Sequence, residues 1–198
     1  FGSSLRGGRV RAGLRRACRR PRATPWPAHS PPAQPGECLR RRGLRVRGMT
    51  HAFSRRLQKE LEALQQKPPE EGIVVEDASD PTQWTIGVAG APGTLYDGQR
   101  FALRFSFPPR YPLENPEVVF VGEPPEHPHI YSNGHICLSI LYDDWSPALT
   151  VHAVCVSIVS MLSSCTQRAR PQDNDSYVRL VGHRSPKKSN WHFDDDSV

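Results

Sequence analysis

The sequence predicts an α+β domain, in which one helix precedes an antiparallel sheet of about four strands, a long loop and a central helix. Three patterns support this fold class. Apolar residues recur at helical spacing near residue 50, alternate with polar or small residues from about residue 84 to residue 107, and form a second helical stripe near residue 155. With 198 residues, of which 37% are hydrophobic, the chain is long enough for one domain with a substantial core.

The first helix is predicted to begin near Met49 and to end at the Pro68 and Pro69 pair, because proline has no backbone N–H to continue a helix. Its apolar positions recur at intervals of three or four residues: Phe53, Leu57, Leu61 and Leu64. This spacing places them on one helical face, and charged residues take the other faces. The helix is therefore amphipathic.

The strands are predicted from alternation with a period of two, which places every second side chain on the same face of a sheet. The apolar positions are Trp84, Ile86 and Val88, then Phe101, Leu103, Phe105 and Phe107, and then the short run Val118 to Val121. Turns are expected at residues 90–93, which contain two glycines, and at residues 108–112, which contain three prolines. Together these segments predict an antiparallel meander of three or four strands.

The central helix is predicted from an apolar stripe with Thr150 as its N-cap. The positions on the stripe are Val151, Val154, Cys155, Ile158, Met161 and Leu162. Cys155 and Cys165 lie on or just after this stripe, so we interpret both as small apolar residues of the core. Beyond Arg170 a single apolar group remains, at residues 177–181, so we expect no further amphipathic helix and a reduced C-terminal part of the fold.

The charge of the chain is divided unevenly along its length. Residues 1–48 contain 13 Arg, no Lys and one acidic residue, Glu37, for a net charge of +12, whereas the other 150 residues contain 13 Lys or Arg against 19 Asp or Glu, for a net charge of −6. The first segment is rich in proline and lacks apolar periodicity, so we interpret it as a disordered extension. The pattern changes at Met49, and we expect a folded domain over residues 49–175 and a flexible or partly ordered tail over residues 176–198. Attraction of the basic extension to nucleic acid or acidic surfaces is an alternative, but the domain itself is acidic, so nucleic acid is not an expected partner.

The cellular compartment is indicated by the hydrophobic segments and the cysteines. No run of about 18 apolar residues exists and the first residues lack the features of a secretory signal, so we expect no membrane association. The five cysteines are odd in number and irregularly spaced, which argues against a disulfide framework and for reduced thiols. These features favour the nucleus and the cytoplasm.

Residues 127–141, HPHIYSNGHICLSIL, concentrate the reactive side chains of the domain. His127, His129 and His135 lie within ten positions of Cys137. Three interpretations of the cysteine compete: a metal ligand beside the histidines, a small buried apolar residue, or a nucleophile presented from a loop. The spacing supplies four possible ligands but matches none of the C-x2-4-C or H-x3-5-H patterns of structural zinc sites.

The residues next to Cys137 bear on the nucleophile interpretation. Asn133 and Gly134 favour a left-handed turn that would expose the residues after it. No Lys or Arg lies within ten residues of Cys137 on either side, so no local cation lowers the pKa of its thiol. A thiol with no basic neighbour in the sequence suits the acceptance of an already activated acyl group better than attack on an unactivated amide.

Four segments resemble, in their order and spacing, the ubiquitin-conjugating enzyme family. They are GAPGTLYDG at residues 90–98, FSFPPRYPLENPEVVF at residues 105–120, HPHIYSNGHICLSIL at residues 127–141 and DWSPALTV at residues 144–151. The resemblance implies that Cys137 takes the C-terminal carboxyl group of ubiquitin from an activating enzyme as a thioester and passes it to an amine. It also implies that no metal and no bound cofactor are needed, because ATP is used upstream by the activating enzyme.

The same resemblance implies two partner surfaces. Arg55, Arg56 and Lys59 on the first helix would meet the activating enzyme. The residues that RING and U-box ligases would grip are Tyr111, Pro112, Leu113, Ser146, Pro147 and Ala148. A non-catalytic ubiquitin-binding module is an alternative, and the presence of Cys137 weighs against it.

Three departures from the family pattern narrow the resemblance. His129 stands where most members have Asn, Ser139 stands where most have Asp, and two further C-terminal helices are not visible. With the segments RARPQDND and PKKSNWHFDDDSV, these departures resemble one branch of the family, whose members attach a single ubiquitin to the α-amino group of substrates with disordered N-termini. His129 is then the positional candidate for oxyanion support, and Asp173, Asn174 and Asp175 are the candidates for orienting the amine. A lysine-directed enzyme of the same family is the alternative.

Overall fold

The computed structural model describes residues 51–66, 72–182, 184–189, 191 and 193. The elements in chain order are α1 (His51–Gln66), β1 (Ile73–Asp80), β2 (Gln83–Ala89), β3 (Arg100–Ser106), β4 (Glu117–Val121), α2 (Val151–Ser164) and α3 (Asn174–Val181), with single 3-10 turns at Ser139–Leu141 and Pro186–Lys188. The predicted extension over residues 1–48, together with Met49, Pro68 and Pro69, lies outside the described residues. Within the described part of the chain, no helix is long and apolar enough to cross a membrane.

The four strands form one antiparallel sheet in the order β1-β2-β3-β4. Its central pairs are Trp84 opposite Phe105, Ile86 opposite Leu103 and Val88 opposite Phe101. Phe101 is half-buried and the other five side chains are at most 2% exposed. The predicted alternation is therefore confirmed, because one face of the sheet carries these side chains into the core.

The sequence did not predict the position of β1. Ile73 is its only fully buried residue, and the following side chains are half-buried or exposed. The pairing of β1 with β2 shifts register between Val75 and Asp77 and again between Asp77 and Asp80. Because β1 lies at an edge of the sheet, polar side chains are tolerated there and no regular alternation forms in the sequence.

The two predicted helices contribute their apolar faces to one core with the sheet. On α1 Phe53, Leu57 and Leu64 are buried, and on α2 every position of the predicted stripe is at most 5% exposed. The Thr150 hydroxyl accepts a hydrogen bond from the backbone N–H of Ala153 at 3.1 Å, so the predicted N-cap is confirmed. The α+β fold class is confirmed as well.

The prediction of no amphipathic helix beyond Arg170 is wrong, because residues 174–181 form α3. This helix is only eight residues long and none of its side chains is fully buried, so its apolar residues are too few to predict a helix from the sequence. Its main anchor is aromatic: the ring of Tyr177 packs on the ring of Tyr131 with 4.0 Å between centroids. The predicted boundary between residues 175 and 176 lies inside α3.

Candidate active site around Cys137

The loop that carries Cys137 is anchored to the end of the sheet through Gly134. The backbone N–H of Phe120 on β4 donates to the Gly134 carbonyl at 2.9 Å. Gly134 has a φ of 87°, and a Cβ atom there would lie 2.2 Å from the Phe120 carbonyl oxygen. Only glycine combines that backbone conformation with so close an approach, so the left-handed turn predicted at Asn133 and Gly134 is confirmed at Gly134.

His127 fastens the beginning of the same loop to α2. Its ring is 2% exposed, its Nδ1 accepts from the backbone N–H of His129 at 3.0 Å, and its Nε2 lies 3.1 Å from the carbonyl oxygen of Met161. This pair of contacts requires the neutral ring with its proton on Nε2. Burial and the neighbouring His129 lower the pKa of His127 to about 4, which keeps the ring in that form.

The metal interpretation of the histidines receives no support from this arrangement. Both ring nitrogens of His127 are occupied by backbone partners. The Nδ1 atom of His135 lies 3.0 Å from the Tyr177 hydroxyl. Among the residues that the structure describes, no group of three or more His, Cys, Asp or Glu side chains could hold a metal ion.

Cys137 differs from the two other described cysteines. The backbone N–H of Cys137 donates to the His129 carbonyl at 2.8 Å, which fixes the cysteine beside that histidine. Its side chain is half-buried. Cys155 on α2 is fully buried, and burial raises the pKa of its thiol. Cys165 is half-buried at the end of α2, where its Sγ lies 3.4 Å from the Tyr96 hydroxyl. Full burial thus explains Cys155, whereas Cys137 and Cys165 both keep partial access to solvent; of these three cysteines, Cys137 is the one that lies in the loop of the histidines.

Three tyrosines that the sequence did not single out interact electrostatically with Cys137. They are Tyr131, Tyr142 and Tyr177. Burial is the main cause that raises the pKa of each phenol, and the charge of the Cys137 thiolate raises each of them further. The phenols are therefore neutral at physiological pH, and their hydroxyl groups are bonded to Asp173, to the Ile136 carbonyl, and to His135 and Ser189.

The N-terminal end of α3 holds the predicted amine-orienting residues against the loop. Asp173 accepts from the Tyr131 hydroxyl at 3.0 Å, and Asn174 accepts from the backbone N–H of Ser132 at 2.9 Å. Asp175 is exposed and accepts from the Asn174 amide. Two of the three candidates are thus brought to the loop of Cys137, where they also stabilise its conformation.

The segment after α3 returns across the same tyrosines. The ring of Trp191 packs on Tyr142 with 4.9 Å between centroids and lies 5.9 Å from Tyr131. Lys187 holds this segment to the loop after β3, because its Nζ lies 2.8 Å from the Glu114 carboxylate. Residues that the sequence assigned to a partly ordered tail therefore form part of the surroundings of Cys137.

The two positions that depart from the family pattern have different surroundings. The backbone atoms of His129 bond to His127 and Cys137, while its ring is half-buried beside the ring of His127, at 5.5 Å between centroids. Ser139 is 8% exposed, and its carbonyl accepts from the backbone N–H groups of Tyr142 and Asp144. A short side chain at position 139 thus fits inside the turn that follows Cys137.

Four of the six residues of the predicted ligase surface are exposed, while Pro112 is half-buried and Tyr111 is buried. Leu113 is 73% exposed, and Ser146, Pro147 and Ala148 are exposed as well. The two loops meet where the indole Nε1 of Trp145 donates to the Pro112 carbonyl at 2.8 Å. The assignment of Tyr111 to this surface is corrected, because its side chain is 3% exposed and supports the loop from inside.

The predicted surface for the activating enzyme lies on α1. Arg55 and Lys59 are exposed. Arg56 is half-buried: its guanidinium forms an ion pair with Glu60 and also donates to the Leu149 carbonyl at 3.0 Å. Arg55 and Lys59 therefore offer free surface charge, while Arg56 already joins α1 to the loop before α2.

Arg170 is a further residue of the site that sequence analysis missed. Its guanidinium donates to three backbone carbonyl groups at the start of the loop that carries Cys137. They are the carbonyl groups of Pro124 at 2.8 Å, Pro125 at 2.6 Å and Ile130 at 3.2 Å. Every residue has a backbone carbonyl group, so the sequence does not show which of them Arg170 contacts. The quoted segment RARPQDND contained the residue but did not reveal its contacts.

Comparison with known proteins decides the family. A family model described as ubiquitin-conjugating enzyme matches residues 56–194. The chain belongs to the ubiquitin-conjugating enzyme family. Its fold agrees with this, because the crystal structure of the ubiquitin-conjugating enzyme E2 UbcA1 from Agrocybe aegerita is similar, with a TM-score of 0.63 and 46% sequence identity over 67% of this chain and 96% of that chain.

Relatives within the family confirm the predicted branch, which is ubiquitin-conjugating enzyme W. The chain is 56% identical to ubiquitin-conjugating enzyme E2 W of Caenorhabditis elegans over 154 residues, which cover 76% of this chain and 100% of the relative. It is also 56% identical to ubiquitin-conjugating enzyme 15 of Arabidopsis thaliana, over 72% of this chain and 89% of the relative. The protein is therefore an enzyme of the ubiquitin-conjugation pathway, whose general partners are ubiquitin, an activating enzyme and ligases.

Proposed function

We propose that this ubiquitin-conjugating enzyme carries ubiquitin as a thioester on Cys137 and, with a RING or U-box ligase, transfers a single ubiquitin to the N-terminal α-amino group of substrates with disordered N-termini. The supporting observation is the composition of the site. Neutral phenols, which carry no positive charge, interact electrostatically with Cys137, and the Asp173 carboxylate accepts a hydrogen bond from one of them.

Transfer proceeds through two exchanges at the same carbonyl carbon. The Cys137 thiolate first attacks the thioester of ubiquitin on the activating enzyme, so that a new C–S bond forms and the cysteine of the activating enzyme leaves as its thiolate. A free amine then attacks the new thioester, an amide bond forms, and the Cys137 thiolate leaves while the amine proton passes to water or a nearby base. The chemistry requires no metal and no bound cofactor, because ATP is consumed upstream by the activating enzyme.

The preferred acceptor is the amine that is more often present as the free base at pH 7. An α-amine with a pKa near 8 is roughly 10% deprotonated at pH 7, whereas a lysine with a pKa near 10.4 is well under 0.1% deprotonated. A lysine therefore needs a carboxylate beside the thioester to remove its proton. Ser139 provides none two residues after Cys137, and Asp173, which accepts from Tyr131, stays the candidate for orienting the incoming amine. These surroundings favour an α-amine.

The ligase assignment rests on the exposed loops. Leu113 is a large apolar side chain that is 73% exposed, beside the exposed residues 146–148. An apolar anchor surrounded by small polar groups suits a small, reversible interface. For the compartment we propose the nucleus and cytoplasm, because the five cysteines are odd in number and irregularly spaced, as expected for a protein of a reducing environment.

The test is the lifetime of the charged enzyme with different acceptors. The protein is loaded with ubiquitin by activating enzyme and ATP, loading is stopped by chelating magnesium, and decay of the thioester is followed on non-reducing gels. Three acceptors are added at matched concentration and pH 7: a flexible lysine-free peptide with a free N-terminus, an N-acetylated peptide with internal lysines, and Nα-acetyl-lysine. We expect discharge onto the free N-terminus to be at least about tenfold faster.

Each other outcome selects a different function. Equal rates with the free N-terminus and with Nα-acetyl-lysine would identify a lysine-directed enzyme and reject the α-amine assignment. Absence of any reductant-sensitive adduct under conditions that load a control conjugating enzyme would leave the non-catalytic ubiquitin-binding module as the better interpretation.

A further inference from the structure

A buried carboxylate on α1 accepts hydrogen bonds from three separate parts of the chain. Glu60 is 6% exposed. Its Oε1 accepts from Arg56 Nε and from the Tyr111 hydroxyl at 2.8 Å, and its Oε2 accepts from the backbone N–H of Val151 at 2.7 Å. Oε1 therefore accepts two hydrogen bonds and Oε2 accepts one.

Two of these donors belong to the loops of the proposed ligase surface. Tyr111 lies two residues before the exposed Leu113, and Val151 lies three residues after the exposed Ala148. Arg56 adds a further bond on the same side, because its guanidinium also donates to the Leu149 carbonyl at 3.0 Å. Each of the two loops is thus held by one oxygen atom of the same carboxyl group.

The surroundings make these bonds strong and directional. Val151 is the first residue of α2, so its N–H is one of the donors that a helix leaves unpaired, and a carboxylate is favoured there by the helix dipole. Burial, and next the charge of Glu60, raise the pKa of Tyr111, so its phenol stays protonated and donates. A charged acceptor in a buried site forms stronger hydrogen bonds than a neutral one.

We propose that Glu60 is a positioning residue for ligase recognition: its carboxylate sets the separation of the loop that presents Leu113 and the loop that presents residues 146–148. The inference rests on the ligase surface of the proposed function. Glu60 itself contacts no ligase, because it is buried beneath that surface. A surface made of two loops fits one partner only when their spacing is fixed, and Glu60 is bonded to both.

The variant Glu60→Gln keeps the shape of the side chain but replaces one acceptor oxygen by an NH2 group that faces a donor. The measurement is ligase-stimulated discharge of the charged enzyme as a function of ligase concentration. We expect the ligase concentration for half-maximal stimulation to rise about tenfold, with the rate at saturating ligase unchanged, as weakened docking requires. Amide NMR signals of Leu113 and Ala148 are expected to shift in the same variant.

A second, more conservative variant tests the same inference with less risk of misfolding. Tyr111→Phe removes one hydroxyl group, and we expect a smaller rise, about threefold, in the half-maximal ligase concentration. Because both changes disturb the hydrogen bond between Tyr111 and Glu60, the double variant is expected to show less than the product of the two effects. Ile158→Val, which shortens a fully buried side chain of α2, is the control for a general loss of stability and should leave the half-maximal ligase concentration unchanged.

The outcomes separate this inference from the surface on which it rests. If Leu113→Ala does not weaken ligase stimulation, the ligase surface of the proposed function is wrong. If Leu113→Ala weakens it while Tyr111→Phe and Glu60→Gln behave like Ile158→Val, the positioning role of Glu60 is overturned. A loss of maximal rate with an unchanged half-maximal concentration would overturn it as well.

Discussion

The hydroxyl group of Tyr177 lies 3.0 Å from Nδ1 of His135, and this contact joins α3 to the loop that carries Cys137. The same hydroxyl lies 2.9 Å from Ser189 Oγ, and the Tyr177 ring packs on Tyr131. One side chain of α3 therefore contacts the active-site loop and the C-terminal segment together. The short helix is held mainly through this tyrosine, because none of its residues is fully buried.

Tyr177→Phe keeps the ring and removes the hydroxyl group. Loss of the bonds to His135 and Ser189 is expected to lower the free energy of unfolding by about 1–2 kcal/mol, measured by urea denaturation. Ser189→Ala removes only the second partner and is expected to cost less. Equal effects of the two variants would show that the His135 contact contributes nothing.

Gly134→Ala is expected to disturb the active-site loop directly. The added Cβ would meet the Phe120 carbonyl at 2.2 Å in a backbone conformation with a φ of 87°. Strain of this kind costs about 1–3 kcal/mol, so the melting temperature and the rate of thioester loading are both expected to fall. Gly93→Ala is the control, because Gly93 also has a positive φ but nothing lies within 4 Å of its added Cβ. Similar loading rates in the two variants would contradict the role of the Phe120 contact.

The free energy of unfolding is expected to fall in acid because His127 is buried in its neutral form. Burial, and next the neighbouring His129, lower its pKa to about 4, below the value near 6.5 of an unfolded histidine. As the pH falls, His127 therefore binds a proton in the unfolded chain before it does so in the folded one. Its contribution to the free energy of unfolding is complete above pH 6.5 and is lost as the pH falls towards 4. Between pH 7 and pH 5 the loss is about 2 kcal/mol.

The variant His127→Gln isolates this histidine from the other titrating groups. Its free energy of unfolding is expected to fall less between pH 7 and pH 5 than that of the unaltered protein, by about 2 kcal/mol, in urea titrations at each pH. Parallel pH profiles for the two proteins would show that His127 is not held neutral by the fold.

Leu113→Ala is expected to weaken ligase-stimulated transfer about tenfold, because truncating an apolar anchor costs more than 1 kcal/mol at a small interface. Thioester loading in the absence of ligase reports on folding. Leu180→Ala is the matched control, since Leu180 is 76% exposed but lies on α3. Equal losses of ligase stimulation in the two variants would remove Leu113 from the ligase surface.

Patterns of burial made most of the fold predictable from sequence. The stripes of α1 and α2 and the alternation in β2 and β3 are signals that a buried face leaves in the sequence. β1 and α3 bury little of their surface, so neither left such a signal. The position of β1 depends on pairing with β2, and that of α3 depends on the packing of Tyr177.

The left-handed turn at Gly134 was predictable because a local motif carries it, while the role of Cys137 stays a prediction. Tyr131, Tyr142 and Trp191 come together from separate parts of the chain, and no local spacing indicates that they meet. Tyr111 was assigned to the ligase surface by the family resemblance, whereas its hydroxyl group turns inward to the Glu60 carboxylate. Contacts between residues far apart in sequence are thus what the sequence alone did not show.

The central claim is that Cys137 carries ubiquitin, and one gel tests it most directly. The protein and its variants Cys137→Ala, Cys137→Ser and Cys155→Ala are each incubated with ubiquitin, activating enzyme and ATP, then separated with and without reductant. We expect a reductant-sensitive adduct with the unaltered protein and with Cys155→Ala, a reductant-resistant ester with Cys137→Ser, and no adduct with Cys137→Ala. A reductant-sensitive adduct that persists in Cys137→Ala would contradict the account.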